Sequence, residues 1–447
     1  MSSSHGKPES IAWLIVPLLL FYIVLLVVKA RKPPGLPLPP GPPRLPLIGN
    51  SWTIPKEFEW ITYNKWCKEL NTDILYLELF GKPLIVLNSS EAARDLLENR
   101  SSLSSSRARF TMINELMGVD FNFAFMGYGE TIMSLAYGMQ VQENGDPYIA
   151  NAEQAVHTVF SASLPGKYFV DTLPMLKYMP TWMPGAGFQR TARQFRKLLR
   201  TVLEVPYAAA RRKFLRVAYT LMKKRSRTLP GRYISTVSAI ASCILGLLEN
   251  PEVVKKAQEE LDRVVKARRL PDFDDEKSLP YVTAVTKEAL RWRVVSPMLA
   301  PRLLEAEQEY KGFRLPAGSM ITVNIWTLLH DKERYPEPFK FNPDRFMTGK
   351  GQLDASVWDP EQACWGYGRR ICPGRHMAYS AIWVNIASML AVFNIEKSVD
   401  GTGVVIELKH EYVSGLICQP KPFICLIKPR SMEAQNLIKA HSNLERS

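Results

Sequence analysis

Cysteine is scarce and scattered. The six in this 447-residue chain (Cys67, Cys243, Cys364, Cys372, Cys418 and Cys425) form no CxxC pair and suit no disulfide framework. Most of them read as small buried apolar residues. Histidine is as sparse, at six, and no Cys/His cluster has zinc-module spacing. No flavin or nicotinamide fingerprint occurs, so electrons for any redox chemistry must come from outside the chain. Acidic residues are outnumbered, 43 against 57 basic ones, which leaves a formal charge of +14. That surplus suits anionic lipid, an acidic protein face or nucleic acid. No nucleic-acid recognition motif accompanies it, so nucleic acid is not an expected partner. The rest of the composition is ordinary. With 46% apolar and 22% charged residues, a disordered or collagen-like chain is excluded and a sizeable core is possible.

Residues 11–28, IAWLIVPLLLFYIVLLVV, contain no charge. At 1.5 Å per residue such a helix nearly crosses a hydrocarbon core about 30 Å thick. Lys29, Arg31 and Lys32 follow at once, which places the C-terminal side in the cytosol by the positive-inside rule. A cleaved signal peptide would need a shorter run and a small-residue cleavage site, neither of which is evident. Residues 1–10 are then a short lumenal segment, and 11–28 a single-pass transmembrane anchor. Residues 29–50 include the proline- and glycine-rich stretch PPGLPLPPGPPRLP, a semi-rigid spacer between membrane and body. Residues 51–447 form the body.

Helical patterns dominate that body, with a smaller β portion. Two β-rich runs at 73–87, split by Gly81-Lys82-Pro83, predict a hairpin. Ser89 and Ser90 introduce a helix over Glu91–Arg100. Asn250-Pro251-Glu252 supplies a cap, a first-turn proline and an acidic first turn for a helix over 250–269. Val253, Ala257, Leu261 and Val264 mark its apolar face. A further helix spans 279–293. Strand-like runs occupy 404–428 with a turn at Pro420 and Pro422, and Ser431 to Ser447 reads as a polar surface tail.

The chemistry concentrates in residues 365–378, WGYGRRICPGRHMA. Gly366, Gly368 and Gly374 bracket Cys372, and a long apolar helical pattern runs from Met377 to Phe393. Glycine permits positive φ and close backbone approach. A cysteine at a helix start is favoured as thiolate by the amides and dipole there. Arg370, two residues before it, can face an anion. One thiolate on a glycine loop beside an arginine suits the axial sulfur of a haem iron and a haem propionate.

Trp365, Gly368, Arg370, Cys372 and Gly374 resemble the haem-binding loop of the cytochrome P-450 superfamily, the haem-thiolate monooxygenases, with Trp365 where a Phe is usual. The KEALRWR segment resembles the family's Glu-x-x-Arg helix through Glu288 and Arg291, with Arg345 of NPDRF as the third member of a buried structural network. The resemblance covers nearly the whole chain. The stretch at 170–190 is similar to fungal members, among them the O-methylsterigmatocystin oxidoreductase-like group.

The resemblance implies a mainly α cytochrome P-450 fold and haem b (iron protoporphyrin IX). It makes Cys372 the iron ligand, with Trp365, Gly366, Gly368, Arg370, Gly374 and Arg302 around the cofactor. Thiolate donation favours O–O cleavage, so the implied reaction inserts one oxygen atom of O2 into a small apolar secondary metabolite or xenobiotic. The implied electron donor is NADPH–cytochrome P-450 reductase, and the location is the endoplasmic reticulum membrane, in contact with lipid.

Two departures stand out. After FAFMGYGE (123–130) the family continues into a helix whose Trp and Arg reach a propionate; here that helix is missing. The distal helix normally carries a glycine and an acidic residue before Thr. Here Ser235 and Thr236 fall at the Thr pair of that proton relay, and Arg232, Tyr233 and Ile234 replace the glycine and the acid. At Pro301-Arg302 a histidine usually intervenes. The alternative is therefore a haem-compromised, inactive product of an altered gene model. Phe123, Phe125 and Met126 are candidates either for an apolar pocket or for plain core packing.

Overall fold

The run at 73–87 is a hairpin. In the computed structural model, which describes residues 35–107, 110–117, 167–196, 231–266 and 269–444, helix α1 (Glu59–Glu69) precedes strands β1 (Ile74–Leu79) and β2 (Lys82–Leu87). The strands pair in register from Ile74↔Leu87 to Leu79↔Lys82. Both loop residues have positive φ, Phe80 at 48° and Gly81 at 81°, as a two-residue primed turn demands. The Phe80 ring packs edge-on against Phe169 at 5.0 Å, which helps to hold this unusual conformation for a non-glycine residue.

The hairpin forms one edge of a five-stranded sheet of order β1-β2-β7-β4-β3. Strand β3 is Ser106–Arg107, β4 Arg302–Leu303 and β7 Met320–Val323. β2 runs parallel to β7, and β4 is antiparallel to both β7 and β3. Alternation divides the hairpin between two cores: Leu75, Leu77, Leu79 and Val86 join one, Ile74, Tyr76, Ile85 and Leu87 the other. A satellite pair joins β5 (Gln308–Tyr310) to β6 (Phe313–Leu315).

A third core lies among helices α2 (Gly231–Glu249), α3 (Pro251–Val264), α4 (Pro280–Trp292) and α5 (Arg375–Val392). Cys243, Leu261, Val285, Trp383 and Leu390 meet there. The buried Trp383 indole donates to Thr283 Oγ1 at 3.0 Å and fastens α5 to α4. A Cβ on Gly246 would lie 2.6 Å from the Phe341 ring, so only glycine lets α2 approach so closely.

The chain bends by 107° between α2 and α3. Asn250 sits at that bend but does not cap α3 through its side chain. Its amide donates instead to Gly246 O at 2.7 Å, satisfying a carbonyl at the end of α2. The helix after Ser89 is α-helical only over Ser90–Arg94 and widens to a π-helical turn at Asp95–Asn99.

The C-terminal strands are shorter than the alternation suggests: β8 (Phe393–Lys397) pairs with β11 (Cys425–Pro429), and β9 (Tyr412–Val413) with β10 (Gln419–Pro420). Pro420 is a strand residue opposite Tyr412, so the reversal falls at 414–418 and not at the two prolines. The expected polar tail is instead helix α6, Met432–Leu444, started by Ser431 Oγ, which accepts from Ala434 N at 3.1 Å. Among the described residues no single helix is long and apolar enough to cross a membrane. The anchor expected at 11–28, the Phe123–Met126 candidates and the missing-helix junction near 130 lie outside the described residues.

Candidate functional site

Cys372 lies between the one-turn helix Glu361–Cys364 and α5, two residues before the N-cap Gly374. Its N–H donates to Trp365 O at 2.8 Å, and Ile371 N–H donates to Gly368 O at 3.0 Å, which closes the loop on itself. Gly366 and Gly368 have φ of 81° and 53°. A Cβ on Gly368 would lie 2.2 Å from Leu97 O, so this position excludes every side chain. Gly374 differs. Its φ of −95° is open to other residues, and positive φ is not its reason for being glycine.

Cys372 is half-buried, as are Cys364 and Cys418. Desolvation pushes the Cys67 and Cys418 thiols up to about 12 and Cys364 well above its usual range. Those three stay protonated at neutral pH.

Against this loop lies a group of arginines. β3 and β4 place Arg107 directly opposite Arg302. Arg302 is wholly buried and donates to Tyr367 O at 2.5 Å and Leu97 O at 3.3 Å. Arg107 keeps some surface but donates to Ala300 O at 2.8 Å, and its Nε is enclosed. Arg370 Nε donates to Ser105 O at 2.8 Å. Among the described residues the Nε groups of Arg107 and Arg302 have no hydrogen-bond partner, and no carboxylate there pairs with either arginine. Burial, and then repulsion from the neighbouring arginines, pulls Arg107 down to about 9 and Arg302 to about 10. Both therefore remain cationic at pH 7, and buried cations without counter-charge are costly. The arrangement calls for an anion.

Arg107 escaped the sequence reading. It stands in SSSRARF with no motif spacing, and only its pairing across the sheet to Arg302 brings it to the loop.

Glu288 and Arg291, both fully buried, form a two-pronged ion pair on α4, with Nε–Oε2 at 2.7 Å and Nη2–Oε1 at 2.8 Å. The remaining Arg291 donors reach Leu329 O, Pro338 O and Lys340 O, and Asn342 N–H donates to Glu288 Oε1 at 2.8 Å. Arg345 joins less fully than expected. Its Nε lies 3.3 Å from Glu288 Oε2, yet the N–H is misdirected and makes no hydrogen bond, while Nη1 donates to Pro336 O at 2.7 Å. Arg345 is thus a charge neighbour that ties down a loop.

The adjacent Lys287 pairs with Asp359 at 2.5 Å and lies 3.8 Å from Glu361, whose Oε2 accepts from the Trp365 indole at 3.0 Å. Ser235 and Thr236 are half-buried on α2, the helix that shares a core with α5. One turn on, Ser238 Oγ donates to Cys418 O at 2.7 Å and the buried Ser242 accepts from Tyr412 OH at 3.2 Å, so α2 is pinned to the β9–β10 hairpin.

The fold thus brings together Cys372, Trp365, Gly366, Gly368, Arg370 and Arg302, and adds Arg107. A thiol on a loop whose Gly368 admits no side chain, beside enclosed arginines with no carboxylate among the described residues, fits a flat metallocofactor bearing acid groups. These are features of haem-thiolate proteins, and the comparison with known proteins agrees. The Cytochrome P450 family model matches residues 233–427. The chain is 36% identical to cytochrome P450 monooxygenase 98 of Postia placenta, over 94% of this chain and 95% of that protein. It is 34% identical to tryptamine 4-monooxygenase of Psilocybe cyanescens (91% and 95%) and 34% to cytochrome P450 monooxygenase ple1 of Rhodocybe pseudopiperita (92% and 93%). The chain belongs to the cytochrome P450 family, oxygen-incorporating oxidoreductases that use haem b. The match to the Postia protein extends over 500 positions but takes in only 94% of the 447 residues here, so about 80 of those positions face no residue of this chain.

Proposed function

We propose that Cys372 is the proximal iron ligand of a fungal-type, membrane-anchored monooxygenase. The observation that carries this reading is the thiol's place on the Gly368 loop beside the uncompensated Arg107 and Arg302. Bound there, haem b supplies the activation of O2 and the insertion of one oxygen atom into substrate. The protein's own residues do the rest. Arg107, Arg302 and Arg370 would hold the acid groups of the cofactor. Gly368 lets the loop lie flat against Leu97, and the Trp365 carbonyl orients Cys372 through its N–H. Glu288 and Arg291 brace the helix behind the loop. Ser235 and Thr236 place hydroxyls on α2, where they hold and pass a proton.

The substrate class is a small apolar secondary metabolite or xenobiotic. Electrons come from NADPH–cytochrome P-450 reductase, drawn to the +14 chain by electrostatic steering. The location is the endoplasmic reticulum membrane, with residues 11–28 as anchor. A reconstitution in lipid with that reductase, NADPH and O2 tests this. Reductase-dependent oxidation of at least one apolar compound in a panel is expected; NADPH use that no compound ever converts to product contradicts it.

A second reading is carried by the roughly 80 unmatched positions: a chain short of that many positions of its relative is also what a haem-compromised product of an altered gene model would show. Haem per purified chain separates the two readings: near one supports the monooxygenase, near zero the compromised form.

A further inference from the structure

We propose that Glu361 is a positioning residue for the Cys372 sulfur, acting through the Trp365 side chain. The inference rests on Cys372 being the iron ligand. Four contacts form the chain. Cys372 N–H donates to the Trp365 backbone carbonyl at 2.8 Å, so wherever residue 365 sits, the sulfur-bearing residue follows. The Trp365 indole N–H donates to Glu361 Oε2 at 3.0 Å, one turn back along the chain. Glu361 Oε1 lies 3.8 Å from Lys287 Nζ, and Lys287 also holds Asp359 at 2.5 Å. Lys287 precedes Glu288 on α4, so the path ends on the helix that carries the buried ion pair.

The tryptophan is what makes this path possible. At this position a phenylalanine offers no N–H and needs no acceptor, so its ring would be held by packing alone. The indole is half-buried within the helical core, where an N–H without a partner is costly. Glu361 therefore fixes the ring in one orientation, and the ring's own backbone fixes the Cys372 amide. Removing the carboxylate frees the indole to turn toward another acceptor, and the loop moves with it.

The test uses the full-length holoprotein and four variants: Glu361→Leu, Glu361→Gln, Trp365→Phe and the double Glu361→Leu/Trp365→Phe. The readout is the rate at which the reduced, carbon-monoxide-bound protein loses the Soret band of thiolate-ligated haem in mild urea. Glu361→Leu should speed that loss about tenfold, the equivalent of one hydrogen bond. Glu361→Gln, which keeps an acceptor for the indole, should match wild type. In the Trp365→Phe background the Glu361→Leu change should have no further effect.

The proposal is overturned if Glu361→Leu leaves the rate unchanged, if its effect is as large without the indole, or if Glu361→Gln behaves like Glu361→Leu. Should Glu361→Leu not fold, the Gln and Phe single variants decide: Gln at the wild-type rate with Trp365→Phe faster supports the proposal, and any other order overturns it. A wild-type protein lacking the thiolate band refutes the ligand assignment itself; a normal band with unmoved variants refutes this proposal alone.

Discussion

Arg291 and Arg302 are both wholly buried, and among the described residues only Arg291 meets a counter-charge. Arg291 meets Glu288 through two short bonds and spends its other donors on three carbonyls. Arg302 faces Arg107 across two strands, with carbonyls for partners and an orphaned Nε. The first arrangement is complete as folded. The second costs stability on its own and is offset only when an anion joins it. On the proposed function the contrast separates a structural arginine from one that serves a ligand, and single substitutions can break it.

The largest effect belongs to the complete pair. Glu288→Ala leaves Arg291 buried and unpaired, and urea unfolding should register a loss of about 3–5 kcal/mol whether or not haem is bound. Arg302→Leu should divide by state. In the haem-free protein it should leave the urea midpoint unchanged or raise it, because a buried uncompensated charge disappears. In the loaded protein it should speed haem transfer to an acceptor globin by about tenfold, the cost of one charge-assisted hydrogen bond. Equal destabilisation of both states would put Arg302 in the same class as Arg291.

Glu59 sharpens the comparison from the acid side. It is buried, its Oε2 has no partner, and burial raises it from 4.5 to about 7. The folded state then holds this proton more tightly than the unfolded one. Its contribution to stability is full below pH 4.5 and is lost as pH rises through about 7. Glu59→Gln should therefore stabilise the protein at pH 8 by up to about 3 kcal/mol and change little at pH 4.5, as thermal scans at the two pH values can show. The smallest effect expected is at Ser431. Its Oγ starts α6, and Ser431→Ala should cost about 1 kcal/mol, read from the same scans.

What the sequence made legible was local. The Gly81 turn, the apolar face of α3, the Cys372 loop and the Glu288/Arg291 spacing each depend on residues a few positions apart, where backbone geometry dictates the outcome. What it hid was either long-range or a matter of orientation. Arg107 gains meaning only by lying opposite Arg302, nearly two hundred positions away. The spacing around Arg345 gave its neighbourhood but not the direction of its N–H. The segment after Ser431 reads as a tail by polarity, yet MEAQNLIKAHSNL is rich in helix formers and buries Ala434. Pro420 looked like a turn residue and sits in a strand whose partner is only two residues long, so little ladder is forfeited.

The most direct measurement is the absorption spectrum of the purified full-length protein after reduction and exposure to carbon monoxide, beside that of Cys372→Ala. Our account predicts the red-shifted Soret band of thiolate-bound haem in the wild type and its loss in the variant. A protein without haem, or a band that survives the substitution, would contradict it.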